Sequence, residues 1–415
     1  MKIIILNRRG FQMIFAAIAA AFAFYSCNKP LLDATPIEYS PVNNSEISIG
    51  QKISTDTNYS FFAAAATKTG QLAQLNRDST EFTVFLPTNN AFRISGIPSI
   101  DALNTLDLQT LGAIVGYCIV PGKQYLSSDI TKGGLSPSVP NEQLPTSITI
   151  GQLPIPIPFK LTTFPSVAGN AFYDNNIPVT KADIKLKNGV IHEVAAIVAP
   201  PFQTLKTAID NNPDLSFFRA ALERADSGQT GLSRLDSLLN YPATNMTVLA
   251  PDNEAFQTVI FGLAYSYLLQ QGLSQMMAFQ QATLLSSSPT VFSNPALYSV
   301  LPASSVQGIL AYHFLAAYNA ADTAFEPGIR VFSNNFPTTP TSYLTLVNNG
   351  IPNHEGVKAQ ATFTGPFVTN LTFTGKGTFP PGGADYSGPP AKAISLDNHA
   401  VNGVYYVIDK VLFPQ

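Results

Sequence analysis

Apolar positions along the chain fall into segments of alternating period that occur twice in the same order. From Tyr59 to Thr69, and again from Asp214 to Ala225, they recur at the three- and four-residue spacing of a helix face, with Gly70 and Gly228 placed as C-cap glycines. Further on, Phe82, Val84 and Leu86 alternate with Thr83 and Phe85. This predicts a strand that ends at Pro87, which has no N–H to continue a ladder. Thr88 then stands where a helix N-cap is needed, and Met246 to Phe256 repeats the arrangement with Asp252 at the cap. Asn188-Gly189 and Asn402-Gly403, flanked by β-branched and aromatic residues, predict closing hairpins whose type I′ turns put both central residues at positive φ. Asp210 and Asp214 flank the start of the second copy's first helix, as capping carboxylates would.

Aligned, the blocks are SFFAAA at Ser60 with SFFRAA at Ser216, and FTVFLPTNNAF at Phe82 with MTVLAPDNEAF at Met246. They continue as AIVGYCIV at Ala113 with GILAYHFL at Gly308, and KNGVIHEV at Lys187 with VNGVYYVI at Val401. An ordered repeat of this length means two copies of one domain, 45–201 and 202–415, meeting at Pro200-Pro201, where neither strand nor helix continues. The second copy is longer between every pair of successive blocks, chiefly at Gln257 to Ser305 and within Tyr318 to Ala400.

These blocks, with the Tyr312-His313 pair and the closing NGVIHEV and NGVYYVIDKVL, resemble the characteristic segments of fasciclin domains. The resemblance implies a mixed α/β (α+β) fold: two modules, each a wedge of two β-sheets flanked by helices, in a family that is chiefly extracellular and adhesive. In the first copy the Tyr-His pair is replaced by Tyr117-Cys118, so the module can be built without an imidazole there.

The first 26 residues carry Lys2, Arg8 and Arg9 and then an uncharged run, Met13 to Tyr25, shorter than the about 20 residues that span a bilayer. They read as an export signal. Ser26-Cys27 resembles the lipobox of bacterial lipoproteins, which implies acylation of Cys27 and a tether over 27–44. An ordinary secretory peptide or an uncleaved anchor is the alternative. The expected location is the bacterial outer membrane, held by lipid, on the cell surface or the periplasmic face.

Across the 415 residues only 12% are charged, with 23 Lys plus Arg against 26 Asp plus Glu and no basic run, so no nucleic-acid footprint exists. The four histidines lack zinc spacing, Cys118 has no thiol partner once Cys27 is acylated, and no nucleophile elbow or phosphate loop occurs. No catalytic residue, metal or cofactor is expected, and His313, set in an apolar run, reads as a core histidine. The insertion Gln257 to Ser305 has no charged residue, which predicts helices buried on most sides or a partner surface. Its Tyr265 and Tyr267, with Phe379 and Tyr386 of the Gly/Pro-rich stretch Gly375 to Pro390, are the candidate contact residues for an extracellular protein or a polysaccharide. The expected function is a lipid-anchored, non-catalytic surface adhesion protein. The alternatives are a polysaccharide-capture lipoprotein beside an outer-membrane uptake system and, third, an enzyme.

Overall fold

The computed structural model describes residues 46–130, 143–150, 159–318, 325–377 and 389–414. They form two compact units. The first holds residues up to Ile130 with Leu144–Ile148 and Asn170–Pro200, and the second holds Pro201–Gln415 with Thr131–Gln143 and Thr149–Gly169.

Chain order in the first module is α1 (Ile49–Thr55), α2 (Ser60–Lys68), β1 (Phe82–Pro87), α3 (Asn89–Ile94), α4 (Ile100–Asn104), α5 (Leu108–Tyr117) and β2 (Ile119–Pro121). β3 (Leu144–Ile150), β4 (Phe159–Thr163), β5 (Pro165–Ala168), β6 (Ala171–Asp174), β7 (Ile177–Leu186) and β8 (Gly189–Val194) follow in the sequence repeat, with β4 and β5 falling in the second compact unit. β1 lies between β2, antiparallel to it, and β8, parallel to it in register from Phe82↔Gly189 to Pro87↔Val194. Every residue of β1 is buried because both faces are covered. Phe82, Val84 and Leu86 meet the helices through Phe62, Ala65, Leu111 and Val115, while Phe85 on the other face stacks on His192 at 5.3 Å. α2 ends as its glycine dictates: Gly70 adopts φ +74°, and Gln71 N–H reaches back to the Ala66 carbonyl.

The second unit runs α6 (Leu205–Asp210), α7 (Ser216–Ala225), α8 (Leu235–Asn240), β9 (Met246–Pro251), α9 (Asn253–Gln270), α10 (Gln275–Ser286) and α11 (Ala303–Ala311). Then come β10 (Phe314–Tyr318), β11 (Phe325–Glu326), β12 (Thr341–Thr345), β13 (Val357–Thr364), β14 (Phe367–Thr374), β15 (Ala391–Ala400) and β16 (Gly403–Ile408). β9 again sits beside a parallel partner, β16, and an antiparallel one, β10. From β10 the pairing continues through β12, β13, β14 and β15 back to β16, so the sheet closes on itself. Alternate side chains serve two cores: Met246, Val248, Ala250, Tyr405 and Val407 pack on the helices, while Leu249, Val404, Tyr406 and Ile408 fill the other side.

The repeat extends to buried polar groups. Thr83 donates to the Lys123 carbonyl and accepts from Tyr125 N–H; Thr247 does the same with Ile329 and Val331. Asn89 accepts from Phe61 N–H and donates to the Thr57 carbonyl, as Asn253 does with Phe217 and Pro213. Asp183 and Asp397, both at positive φ, accept from the backbone and hydroxyl of Ser127 and Ser333. These buried donors and acceptors are thus paired by one arrangement that is used in both modules.

Two expectations from the sequence are corrected. The closing hairpins exist, but the pairs Leu186↔Gly189 and Ala400↔Gly403 make Lys187-Asn188 and Val401-Asn402 the central residues, and neither asparagine has positive φ. The Asn188 side chain instead accepts from Ile49 N–H and donates to the Leu75 and Arg77 carbonyls, and Asn402 does so with Leu205, Leu239 and Tyr241. The acidic caps fail too: Asp210 ends α6 beside Lys206, and Asn212 caps the turn that holds Asp214.

Candidate functional site

The block Asp252-Asn253-Glu254-Ala255 starts α9 as Thr88 starts α3, with the Asp252 carboxylate accepting from Ala255 N–H at 2.7 Å. α3 stops at Ile94, but the insertion carries α9 on to Gln270, where Gly272 at φ +86° turns the chain into α10. α10 begins at the Ser274 cap and packs against α9 through small side chains, Ala278 and Ala282 against Ala264 and Leu268. Phe261 lies parallel to Tyr265 at 5.9 Å and meets the edge of Phe279 at 5.4 Å.

Only one side of α10 is therefore covered. Ala278, Ala282 and Ser286 face inward, whereas Met276, Gln280 and Leu284, spaced at i, i+4 and i+8, line the opposite side with Met277 next to them. Met276 is 73% exposed, Leu284 74%, Phe279 57% and Met277 53%. The expectation that a charge-free insertion is buried on most sides is overturned for this helix. Alanines at the contact let the helices approach closely, but they reach no further round α10, so its outer apolar face stays open.

Of the residues singled out from sequence, Tyr265 and Tyr267 are half-buried and belong to the internal packing of this hairpin, Tyr267 also touching the module core. Cys27, Phe379 and Tyr386 lie outside the described residues. The exposed Met276, Met277 and Leu284 were not singled out, because nothing local separates an outer apolar face from an inner one.

The titratable interior is structural in its contacts. His313 is fully buried, donating from Nδ1 to the Ile309 carbonyl and accepting at Nε2 from Leu412 N–H. Burial drives its pKa down to about 4, against a smaller opposing effect of the Ile309 bond. Cys118, its counterpart, donates from Sγ to the Ile114 carbonyl, and burial pushes the thiol well up. His192 accepts from Asp183 N–H and donates to the Tyr125 carbonyl; burial lowers its pKa against the pull of that carbonyl and of Asp183. His399 lies well below its ordinary value, first through burial and then through the Arg330 cation. Among the described residues no three His, Cys, Asp or Glu side chains gather to hold a metal, and no helix is long and apolar enough to cross a membrane.

The fasciclin domain family profile matches residues 57–200, which carry the first module's helices α2 to α5, its β1/β8 parallel pair and its closing hairpin. The first module is a fasciclin domain. The second module repeats the plan of the first, strand for strand around β9 and β16 and side chain for side chain in the buried polar groups. Protein sll1483 of Synechocystis sp. (strain ATCC 27184 / PCC 6803 / Kazusa) is 27% identical over 138 residues, 33% of this chain, and the chain spans 65% of that protein's length. A solved FAS1 domain pair from the insect cell adhesion molecule fasciclin I aligns over 88% of this chain and 95% of its own, with 12% identity and a TM-score of 0.31. Fasciclin domains are associated with adhesion and binding rather than catalysis.

Proposed function

We propose that this fasciclin-domain protein is a lipid-anchored adhesion protein of the bacterial outer-membrane surface, held through Cys27, and that the outer face of α10 is where it takes hold of an extracellular protein. One observation carries the partner surface: Met276, Met277 and Leu284 stand in solvent on a helix that lacks any charged residue. Soluble proteins rarely leave several large apolar side chains open on one charge-free helix face unless something binds them. Methionine suits the task, because its flexible thioether adapts to an apolar partner.

Met276→Ser with Leu284→Ser in the full chain tests this. Both side chains are exposed, so stability should change by no more than about 0.5 kcal/mol. Adhesion of cells displaying the variant should fall about tenfold or more, since apolar anchors carry most of an interface's energy. Unchanged adhesion with an unchanged melt moves the partner surface off α10. Anchoring is tested separately with Cys27→Ser, which should release the protein from membranes; a variant that stays membrane-bound through carbonate washing refutes the lipid.

A further inference from the structure

The described residues contain four sulfur atoms, those of Cys118, Met246, Met276 and Met277. Cys118 and Met246 are fully buried, and burial holds the Cys118 thiol in its protonated, unreactive form. Met276 and Met277 stand side by side in the first turn of α10, 73% and 53% exposed. Neither belongs to the packing that holds α10 to α9, which runs through Ala278 and Ala282 and is flanked by Phe261, Tyr265 and Leu285. A reagent that attacks sulfur from solvent therefore meets these two thioethers first, and it changes both without touching the core of the hairpin.

The reagent that fits is a two-electron oxygen donor, a hydroperoxide. A lone pair on the methionine sulfur attacks one peroxide oxygen, the O–O bond breaks and an S–O bond forms. The proton on the transferred oxygen passes to the departing hydroxide or alkoxide, which leaves as water or alcohol. Sulfur loses two electrons, the peroxide gains them, and the product is a sulfoxide. No neighbouring base or metal takes part, so access alone decides which methionine reacts. The sulfoxide oxygen is a polar acceptor where an apolar thioether stood. α10 has no charged residue to pair with it, so water solvates it, and a docking partner has to strip that water away.

We infer that Met276 and Met277 form an oxidation site for hydroperoxides and that their conversion to sulfoxides closes the open face of α10 to its partner. The second half rests on the adhesion reading given above; the first half does not. An apolar partner surface offers no donor in exchange for the lost water, and the unpaired oxygens weaken binding about tenfold or more.

The full-length protein is treated with dilute hydrogen peroxide and its peptides are mapped by mass. The peptide holding Met276 and Met277 should gain two oxygen atoms before the peptide holding Met246 gains any, with the far-UV circular dichroism unchanged. Adhesion of cells displaying the protein should then fall about tenfold or more. The control is Met276→Leu with Met277→Leu, which keeps the face apolar and removes both sulfurs, so its adhesion should withstand the same treatment. A pair that stays unoxidised, or Met246 reacting as fast as the pair, overturns the site whatever adhesion does. Full oxidation of the pair with undiminished adhesion, or an equal loss in the leucine variant, overturns the switch. In that case a loss of adhesion in Met276→Ser with Leu284→Ser shows that the adhesion reading stands and the switch alone has failed.

Discussion

At the scale of single residues, the protein keeps three imidazoles neutral in its interior, and this sets the sign of its pH dependence. His313 titrates at about 4 in the folded state, chiefly through burial, against about 6.5 in an unfolded chain. Between those values the unfolded chain takes up a proton that the folded one does not. The stability tied to this group is therefore complete above pH 6.5 and is lost as the pH falls toward 4, a loss of roughly 3 kcal/mol. His192 and His399 are shifted in the same direction by burial and add to it. Denaturant midpoints measured from pH 7 to pH 4.5 should fall. In His313→Gln, whose amide can still bridge the Ile309 carbonyl and Leu412 N–H, the fall should be shallower from a lower starting stability. Equal slopes in both proteins would place the acid sensitivity elsewhere. Position 118 shows why an imidazole is optional: a thiol donating to the i−4 carbonyl fills the same place.

The elements owe their register to a few backbone positions. Gly189 is at φ +147°, and a Cβ there would lie 2.0 Å from the Phe82 carbonyl oxygen, inside the parallel β1/β8 pair that centres the first module. Gly189→Ala should cost about 3 kcal/mol or more, seen as a lowered first transition in a thermal melt, because neither the dihedral nor the clash can relax without breaking the ladder. A melt within a degree of the native one would mean that β8 can slide. Much at this scale was legible in the sequence: Phe82, Val84, Leu86, Pro87 and Thr88 are a strand, a stop and a cap in both pattern and structure. The turn was misread by one residue, since Asn-Gly signals a local turn whereas Asn188 bonds to Ile49 and Leu75, more than 100 positions earlier. The open face of α10 was illegible for a related reason. A helix without charges looks buried until the width of its neighbour's contact, here two alanines, is known.

At the scale of the whole molecule, the compact units and the sequence repeat divide the described residues differently chiefly at one stretch, and the difference has a physical content. Thr149–Gly169 is grouped with the second unit. Within that unit Phe164 packs on Phe332 at 5.9 Å and His399 at 6.2 Å and underlies the Arg330 guanidinium, while Ser166 accepts from the side-chain amides of Asn334 and Asn335. A fragment of residues 202–415 retains the helix-side core of Phe217, Phe256, Val248 and Tyr405, so it should still melt cooperatively. It also strips a ring from a buried cation and an acceptor from the buried Asn334. Losing a buried phenylalanine costs about 3–5 kcal/mol, and a stranded amide adds about 1–3 kcal/mol. A fragment of residues 149–415 should therefore be more stable than 202–415 by about 3 kcal/mol or more in guanidinium chloride, with a similar m-value because the main core is common to both. Equal midpoints would show that the stretch contributes nothing to the second module and that the repeat boundary at Pro200-Pro201 is also the folding boundary. A non-cooperative 202–415 would show instead that Phe164 and Ser166 are integral to its core.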